Sequence, residues 1–262
     1  MAEDVLSKKG IKKYLSNDDY KIEVYESLDS TNALLKGRAQ KGENEWTVVI
    51  ADSQTCGRGR MTRKFYSPKK CGIYMSILLK PTFPAEKAVL ITAAAAVAVS
   101  EAIESLSGKE TKIKWVNDVF IGNKKVCGIL TEGGLNPENM GFDWAVLGIG
   151  INVYTPENGF DDEITDIAAA VFEKRSADLR NRLTAMVLER FRHYYTELEN
   201  KSFFPEYKKR MLFIGREINV IKGDSIKKAR CLDLDSDCRL KVCYPDSTEE
   251  YLSSGEISVK LT

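Results

Sequence analysis

The sequence GIYMSILLK at residues 72–80, followed by AVLITAAAAVAV at residues 88–99, decides the fold class. The first stretch is rich in large apolar residues and is typical of a buried strand. The second consists largely of strong helix formers. With twelve residues it is shorter than the roughly 18 apolar residues that indicate a membrane span. We therefore expect a strand and a core helix, and no membrane association.

Similar short strands, bounded by Gly, Asn and Asp, lie on both sides of this pair. Strands are predicted at residues 22–26, 46–52, 111–121, 125–133 and 143–153. Helices are predicted at residues 32–40, 164–172 and 177–198, the first of them capped by Ser30 or Thr31. This interleaving predicts an α+β domain with a central mixed β-sheet packed with helices.

The pattern changes after Phe204-Pro205, where short alternating segments replace long helices. Five such segments are separated by turn signals at residues 223–224, 236–237, 245–246 and 254–255. Five strands at this spacing predict a small SH3-like β-barrel, too small to carry its own active site easily. We predict a catalytic domain over residues 1–210 and a C-terminal β-domain over residues 211–262.

Composition excludes several kinds of catalytic site. The 262 residues include 39 Lys and Arg, 38 Asp and Glu, and one histidine, His193. The net charge of +1 argues against a large basic nucleic-acid surface. One histidine cannot supply most zinc sites or histidine-dependent nucleophile systems. Because His193 lies off the apolar stripe of its predicted helix, we expect a surface residue and no metal site.

The cysteines and the N-terminus indicate the compartment. None of the six cysteines forms a CxxC pair, so neither a zinc pattern nor a redox motif is present. The first twenty residues are polar and charged and contain no secretory signal. We therefore expect free thiols in a reducing cytoplasm.

The loop QTCGRGRMTRKFYSP, residues 54–68, concentrates arginine and glycine directly after a predicted strand. Gly57 and Gly59 allow the backbone to approach a ligand closely, and Arg58 and Arg60 offer planar donors for phosphate or carboxylate. A solvated basic hairpin or an RNA contact would use the same residues. The loop by itself does not decide between these functions.

Two further segments have an ordinary structural interpretation when each is taken alone. KWVNDVFIGNKKVCGIL, residues 114–130, has the Asx and glycine residues that any hairpin would use. LGIGINV, residues 147–153, carries Gly148 and Gly150 within a strand, which marks a bulge or close approach by a ligand or another backbone. Neither segment contains a P-loop or a GxGxxG fingerprint.

Taken together, six motifs in this order resemble the biotin protein ligases. The motifs are DSTN at 29–32, GRGR at 57–60, KWVND at 114–118, KVCGIL at 125–130, GIGINV at 148–153 and GEIS at 255–258. The resemblance runs from about residue 22 to the C-terminus and is far more specific than any single motif. It implies a fold like that of the class II synthetases.

The resemblance also implies a two-step reaction that uses ATP and Mg²⁺. Biotin and ATP would form biotinyl-5′-AMP, and the biotinyl group would then pass to one lysine of the biotin carrier domain of a biotin-dependent carboxylase. Biotin's carboxylate is already ionised at neutral pH, so the first step requires positive charge around the phosphates rather than a general base.

Carried over motif by motif, the resemblance implies specific site residues. The catalytic residues would be Lys125, Arg58, Arg60 and Asp118, with Asp118 orienting or deprotonating the acceptor lysine. Biotin would be bound by Ser30, Thr31, Asn32, Gln54, Gly57, Arg58, Gly59, Arg60, Lys125 and Gly128. ATP would be bound by Arg60, Phe65, Trp115, Asn117 and Asn152.

This sequence departs from the family pattern without losing a charge. Val116 stands where the family often has Pro, Phe65 where it often has Trp, Cys127 where it often has Ala, and Ser254 where Gly is common. We therefore expect activity to be retained.

Partners and rival functions follow from the same comparison. Some members carry an N-terminal DNA-binding helix-turn-helix, and the stretch before the first strand here is too short for one, so we expect no DNA binding. Sheet edges pair readily, which leaves a homodimer through the central sheet open.

A lipoate ligase or octanoyltransferase would share the fold and the lysine, although Gln54 before GRGR favours biotin. A nucleic-acid-binding module is disfavoured by the neutral charge and the lack of clustered aromatics.

Overall fold

The computed structural model describes residues 4–17, 19–60, 63–136 and 141–253, together with the backbone of residues 257–261. Ser254 and the first half of the GEIS motif, Gly255 and Glu256, lie outside the described residues.

A seven-stranded mixed sheet forms the centre of the protein. Its strands are β1 Lys21–Tyr25, β2 Thr47–Ala51, β3 Gly72–Leu79, β4 Lys112–Lys114, β5 Asp118–Ile121, β6 Lys124–Leu135 and β7 Phe142–Asn152. They lie in the order β1-β2-β3-β7-β6-β5-β4. β1 and β2 are parallel and the remaining neighbours are antiparallel. The predicted central mixed sheet is confirmed.

Helices cover both faces of this sheet. They are α1 Lys8–Lys12, α2 Thr31–Ala39, α3 Ala88–Ser107, α4 Leu179–Thr196 and α5 Phe204–Lys209. Leu35 of α2 packs with Val49 and Leu78, whereas Val48 and Ile77 belong to the core that contains α3 and α4. Because both faces are covered, every residue of β3 is buried, which explains its continuous apolar run.

α3 is the core helix that its alanine-rich sequence predicts. By length and apolar composition alone, the segment Ala85–Ser107 could cross a membrane, but 72% of its most apolar window is buried inside the protein. Its C-cap, Gly108, has φ +68°, the left-handed conformation that favours glycine.

The predicted strand over residues 111–121 is wrong as a single element. A turn at Trp115–Asn117 divides it into β4 and β5. The Trp115 side chain is buried, and its Nε1 donates a hydrogen bond to the carbonyl of Cys238 at 2.8 Å. Burial of this indole against Cys238, 123 residues further along the chain, overrides the local preference for a strand.

The predicted helix over residues 164–172 is also wrong, because this segment forms turns and isolated bridges. Lys125 N donates to the Ile167 carbonyl at 2.7 Å, and Ala169 N donates to the Lys125 carbonyl at 2.9 Å. Its alanines favour a helix locally, but pairing with β6 satisfies the backbone instead. The segment therefore lies against the residue that carries the predicted catalytic amine.

A five-stranded antiparallel sheet forms the C-terminal part of the chain. Its strands are β8 Glu217–Lys222, β9 Ser225–Leu234, β10 Leu240–Cys243, β11 Glu249–Leu252 and β12 Ile257–Leu261, in the order β11-β10-β9-β8-β12. The five predicted segments and the small all-β unit are confirmed.

His193 is exposed on α4, as predicted, and the six cysteines are free.

An ion pair between α3 and the end of α5 gives a stability prediction. Glu104 accepts hydrogen bonds from Arg210 Nη2 at 2.7 Å and from Thr111 Oγ1 at 2.7 Å. Burial alone would raise the pKa of Glu104, but hydrogen bonds from Arg210 and Thr111 outweigh it and lower that pKa. A lowered folded-state pKa stabilises the protein above the unfolded pKa, and this stabilisation is lost as pH falls through the folded pKa.

We therefore expect Glu104→Gln to lower the free energy of unfolding by about 1–2 kcal/mol near neutral pH, and by much less near pH ~3. Urea unfolding at both pH values would measure the difference. Glu110→Gln is the matched control, because Glu110 is exposed and pairs with Lys112 on the surface. An equal loss at both pH values would contradict the assignment.

Candidate active site

Most of the predicted site residues meet in one cleft of about 470 Å³, part of which is open to solvent. The N-terminal end of α2, the loop after β2, and β3, β6 and β7 form its walls. The residues that line it are Ser30, Thr31, Asn32, Gln54, Arg58, Gly59, Arg60, Phe65, Tyr74, Met75, Asn117, Lys125, Gly128, Ile129, Leu130, Gly148, Ile149 and Gly150.

The first turn of α2 forms the polar end of the cleft. Ser30 is the N-cap, and its Oγ accepts a hydrogen bond from Ala33 N at 3.4 Å. Thr31 N and Oγ1 donate to Gln54 Oε1 at 2.9 and 3.1 Å. Gln54 Nε2 in turn donates to Ser67 Oγ at 3.0 Å. The Gln54 amide is therefore fixed in orientation between α2 and the loop.

A second chain of hydrogen bonds fixes Asn32. Ser76 Oγ donates to Asn32 Oδ1 at 2.6 Å, and Asn32 Nδ2 donates to Glu132 Oε2 at 3.0 Å. Glu132 also lies 3.4 Å from Lys36 Nζ and 4.0 Å from Arg58 Nη1. The Asn32 amide fills the space above Gly148, where a Cβ atom would lie 2.2 Å from Asn32 Oδ1.

The arginine loop folds back on itself. Phe65 N donates to the Gly57 carbonyl at 2.9 Å, and Gly59 N donates to the Arg63 carbonyl at 2.7 Å. A Cβ atom on Gly57 would lie 2.3 Å from the Phe65 carbonyl oxygen. Gly57 is thus required for close backbone approach within the loop, and within the described residues it does not line the cleft.

Arg58 and Arg60 occupy different environments. The Arg58 side chain is 52% exposed. Arg60 is more enclosed, and its Nη1 donates to Asn117 Oδ1 at 3.2 Å. Burial lowers the pKa of Arg60, while the negative charge of Asp118 acts in the opposite direction. A guanidinium stays protonated in proteins, so both side chains bring positive charge to the cleft.

The Phe65 ring packs against the backbone of two glycines, Gly128 and Gly150. A Cβ atom on Gly150 would lie 2.6 Å from Phe65 Cε1, and one on Gly128 would lie 3.1 Å from Phe65 Cε2. Gly128 and Gly150 face each other in the register of β6 and β7. Lys125 Nζ lies 5.9 Å from the centroid of the Phe65 ring. The glycines therefore leave room for an aromatic ring beside the predicted catalytic lysine.

Lys125 and Asp118 form an ion pair across the β5–β6 hairpin. Lys125 Nζ lies 2.7 Å from Asp118 Oδ1, and both side chains are partly exposed. Asp118 does not line the cleft wall itself. It contacts Lys125, which does. The arrangement provides a fixed amine and a carboxylate at one edge of the cleft.

Within the described residues, Trp115 and Asn152 do not line the cleft. The Trp115 indole donates a hydrogen bond to the carbonyl of Cys238, in the loop between β9 and β10. Asn152 is buried at the end of β7, where its carbonyl accepts a hydrogen bond from Val171 N at 2.9 Å. The structure thus does not bring these two predicted ATP-binding residues to the cleft wall.

Sequence reasoning missed several residues that shape the cleft. Tyr74, Met75, Ile129 and Leu130 line it, but their apolar side chains do not differ from those of any buried strand. Ser76 had a signal, because it is a polar residue within the apolar run of β3. Among the described residues, no group of three or more His, Cys, Asp or Glu side chains could hold a metal ion.

Comparisons with known proteins show what this chain is similar to. Residues 24–152 match the model of the Biotin/lipoate A/B protein ligase family, and residues 213–260 match that of the Biotin protein ligase C terminal domain. The bifunctional ligase/repressor BirA of Bacillus subtilis is 37% identical over 69% of this chain and 55% of its own length. The chain thus spans about half the length of that relative.

Other relatives match over more of their length. A biotin--[acetyl-CoA-carboxylase] ligase of Mycobacterium tuberculosis is 29% identical over 84% of this chain and 82% of its own length. The structure of a biotin protein ligase from Aquifex aeolicus in complex with biotin and ATP superposes with a TM-score of 0.76 and 27% identity. That match covers 92% of this chain and 99% of that chain.

Proposed function

The chain belongs to the biotin/lipoate A/B protein ligase family, and on that premise we propose that it is a biotin protein ligase. It forms biotinyl-5′-AMP from biotin and ATP and transfers the biotinyl group to a lysine of a carrier protein. The observation that carries the proposal is the convergence of Lys125, Arg58 and Arg60 on a cleft that also contains a fixed network of polar side chains. The complex of the similar Aquifex aeolicus protein with biotin and ATP supports it.

In the first step, a carboxylate oxygen of biotin attacks the α-phosphorus of ATP. The bond from that phosphorus to the β-phosphate bridging oxygen breaks, and pyrophosphate leaves with its electron pair. Negative charge grows on the phosphate oxygens as this happens. Lys125, Arg58 and Arg60 are placed to stabilise that charge, which is the electrostatic contribution that this chemistry requires.

Biotin's ring end distinguishes it from lipoate. The ureido group has one carbonyl acceptor and two N–H donors, and we assign it to the polar end of the cleft. Ser30, Thr31, Asn32 and Gln54 bring hydroxyl and amide groups to that end. A ureido group can form additional hydrogen bonds with these hydroxyl and amide groups, whereas a dithiolane ring has no N–H donor and no carbonyl acceptor to offer them. The polar end therefore supports biotin over lipoate.

We assign ATP to the part of the cleft next to Arg60, Phe65 and Asn117. Trp115 would act indirectly there, by holding the turn that carries Asn117, and Asn152 would support the end of β7. Mg²⁺ enters as part of the MgATP substrate, because Mg²⁺ keeps much of its water and binds substrate phosphates rather than a dedicated protein cage.

The second step requires a neutral lysine amine on the carrier. Its nitrogen attacks the carboxyl carbon of biotinyl-AMP, the bond from that carbon to the phosphate oxygen breaks, and AMP leaves. We assign to Asp118 the role of orienting that amine and accepting its proton.

The acceptor is a biotin carrier domain of a biotin-dependent carboxylase. The reaction takes place in the cytoplasm, where the six free cysteines would stay reduced.

The same proposal extends to domains and assembly. A catalytic domain over residues 1–210 and a β-domain over residues 211–262 are supported by a cleft built from residues 30–150 and a second sheet that begins at Glu217. β1 lies at an edge of the central sheet, where a homodimer could form. The described residues before β1 contain the short helix α1, and we assign no DNA-binding role to them.

Mass spectrometry tests the function directly. The purified protein is incubated with biotin and MgATP, alone and with a biotin carrier domain, with lipoate in parallel. We expect bound biotinyl-AMP in the first case and a biotinylated carrier in the second. Reaction with lipoate alone would overturn the substrate assignment, and no reaction with either acid would overturn the enzymatic function.

Replacing Gly148 by alanine tests the polar end of the cleft. Because the new methyl group would collide with the Asn32 amide, we expect the KM for biotin to rise about tenfold or more, with a smaller change in kcat. Gly37→Ala on α2 is the matched control, since no atom lies within 4 Å of the position of its Cβ. An unchanged KM in the folded Gly148→Ala variant would remove Asn32 from the biotin site.

A further inference from the structure

A buried charge cluster outside the cleft joins α4 to the arginine loop. Arg180, in the first turn of α4, is 1% exposed. Its Nη1 donates to Asp52 Oδ1 at 2.5 Å and to the Gly72 carbonyl at 3.2 Å. Its Nη2 donates to the Asp4 carbonyl at 2.6 Å, and its Nε lies 3.4 Å from Asp4 Oδ2.

Stability alone is a weak reason for such a cluster. Removing a guanidinium and two carboxylates from water costs free energy that their attraction barely returns, and apolar residues of similar volume often stabilise a core as well. What a buried ion cluster does provide is a fixed geometry for the backbone segments that it joins. The role of this cluster therefore depends on which backbone segments Arg180 joins.

Arg180 binds both ends of the loop that carries the anion-binding residues. Asp52 directly follows β2 and Gly72 is the first residue of β3, so the segment between them contains Gln54, Gly57–Arg60 and Phe65. Asp52 Oδ2 also accepts a hydrogen bond from Lys70 N at 3.3 Å. One guanidinium and one carboxylate thus hold the entry and the exit of the loop together.

The N-terminal segment completes the same cluster. Asp4 Oδ2 accepts a hydrogen bond from Tyr154 OH at 2.7 Å. The next residue of α4, Asn181, donates from Nδ2 to the Val5 carbonyl at 2.8 Å and accepts from Ser7 N at 2.9 Å. Residues 4–7 are therefore anchored to the turn of α4 that also holds the loop.

We propose that Arg180, with Asp52 and Asp4, is the positioning unit of the arginine loop, and that it sets the loop's affinity for biotin and the adenylate. This inference rests on the proposed function only in naming the ligand. Within the described ranges, the side-chain hydrogen bonds and ion pairs of Arg180 go to Asp4, Asp52 and Gly72, none of which lines the cleft, so it acts as a positioning residue. Small displacements of binding groups are costly to catalysis, which is why the loop needs fixed ends.

Asp52→Asn is the main test, because it keeps the side-chain volume while removing the charge opposite Arg180. We expect the KM for biotin to rise about tenfold, and we expect kcat for biotinyl-AMP formation to fall several-fold, because the same loop carries Arg58 and Arg60. Trypsin cleavage after Arg58, Arg60 or Arg63 in the ligand-free protein should accelerate several-fold, since the loop would open more often. Biotin with MgATP should restore protection.

Glu101→Gln is the matched control. This change breaks the 2.9 Å ion pair between Glu101 of α3 and Arg190 of α4, which involves the helix that carries Arg180 but lies outside the cluster. We expect its KM and its cleavage rate to equal those of the wild type. Asp4→Asn is the second variant, which should show the same changes as Asp52→Asn to a smaller degree and would replace it if Asp52→Asn did not fold.

The outcomes separate this inference from the proposed function. Cleavage rates in Asp52→Asn and Asp4→Asn that equal those of Glu101→Gln would overturn the positioning role, whatever the substrate is. If trypsin cleaves the two variants faster but the wild-type protein makes no biotinyl-AMP, the positioning role is supported and the proposed function is overturned. Faster cleavage together with a raised KM for biotin would support both.

Discussion

Replacing Lys125 by alanine should slow the formation of biotinyl-AMP by about 100- to 1,000-fold, the usual cost of removing one preorganised donor to a developing anion. Lys125 lies on β6 beside Phe65 of the arginine loop, and its backbone N–H and carbonyl are both hydrogen-bonded to the 164–172 segment. Its amine is held by Asp118 at 2.7 Å. The charge is therefore in place before the substrates bind, so its loss should reduce kcat as well as kcat/KM.

Single-turnover pyrophosphate release would measure this step without the carrier. Lys124→Ala is the natural control, because Lys124 is the neighbouring residue but is exposed, and its Nζ donates to the Thr165 carbonyl at 3.0 Å. We expect wild-type rates for the control. If Lys125→Ala changed only the KM for biotin, Lys125 would bind the substrate without stabilising the transition state.

The fold could be predicted wherever local pattern and final environment agree. β3 and α3 are such cases, because a strand covered on both faces and a helix buried in the core both require continuous apolar runs. The five C-terminal strands could be predicted because Gly, Pro, Asp and Ser mark every turn between them. In these regions each local preference agrees with the tertiary structure.

The errors occurred where long-range contacts override local preference. Residues 164–172 contain three consecutive alanines, yet their backbone pairs with Lys125 and Asn152, far away in sequence. Trp115 interrupts a strand because its indole is buried against Cys238. No periodicity in either segment points to these partners, so sequence alone could not have found them.

The site was partly predictable for a similar reason. Motifs marked the residues that line the cleft, including the loop arginines and Lys125. They did not show that Asp118 would face Lys125, which depends on the hairpin register of β5 and β6. Arg180 had no local signal, because its role depends on contacts with Asp4 and Asp52, each more than a hundred residues away in sequence.

Replacing Asp118 by asparagine should separate the two steps of the reaction. We expect adenylate formation within a few-fold of the wild-type rate, because asparagine removes no positive charge and Lys125 keeps a polar neighbour. Transfer to the carrier lysine should slow by about 100-fold or more, since the amide can neither accept a proton nor attract an ammonium group. Chasing preformed biotinyl-AMP with carrier domain would measure the second step alone.

The pH dependence gives this prediction its sharpest form. A free lysine has a pKa near ~10.4, so the neutral fraction of the acceptor amine rises about tenfold for each pH unit below that value. If Asp118 removes the proton, the transfer defect of Asp118→Asn should shrink as pH rises, because hydroxide and solvent take over its role. Asp143→Asn, at an exposed position on β7, should transfer at the wild-type rate throughout. A defect in adenylate formation alone would contradict the assignment of Asp118 and place its function in holding Lys125 for the first step.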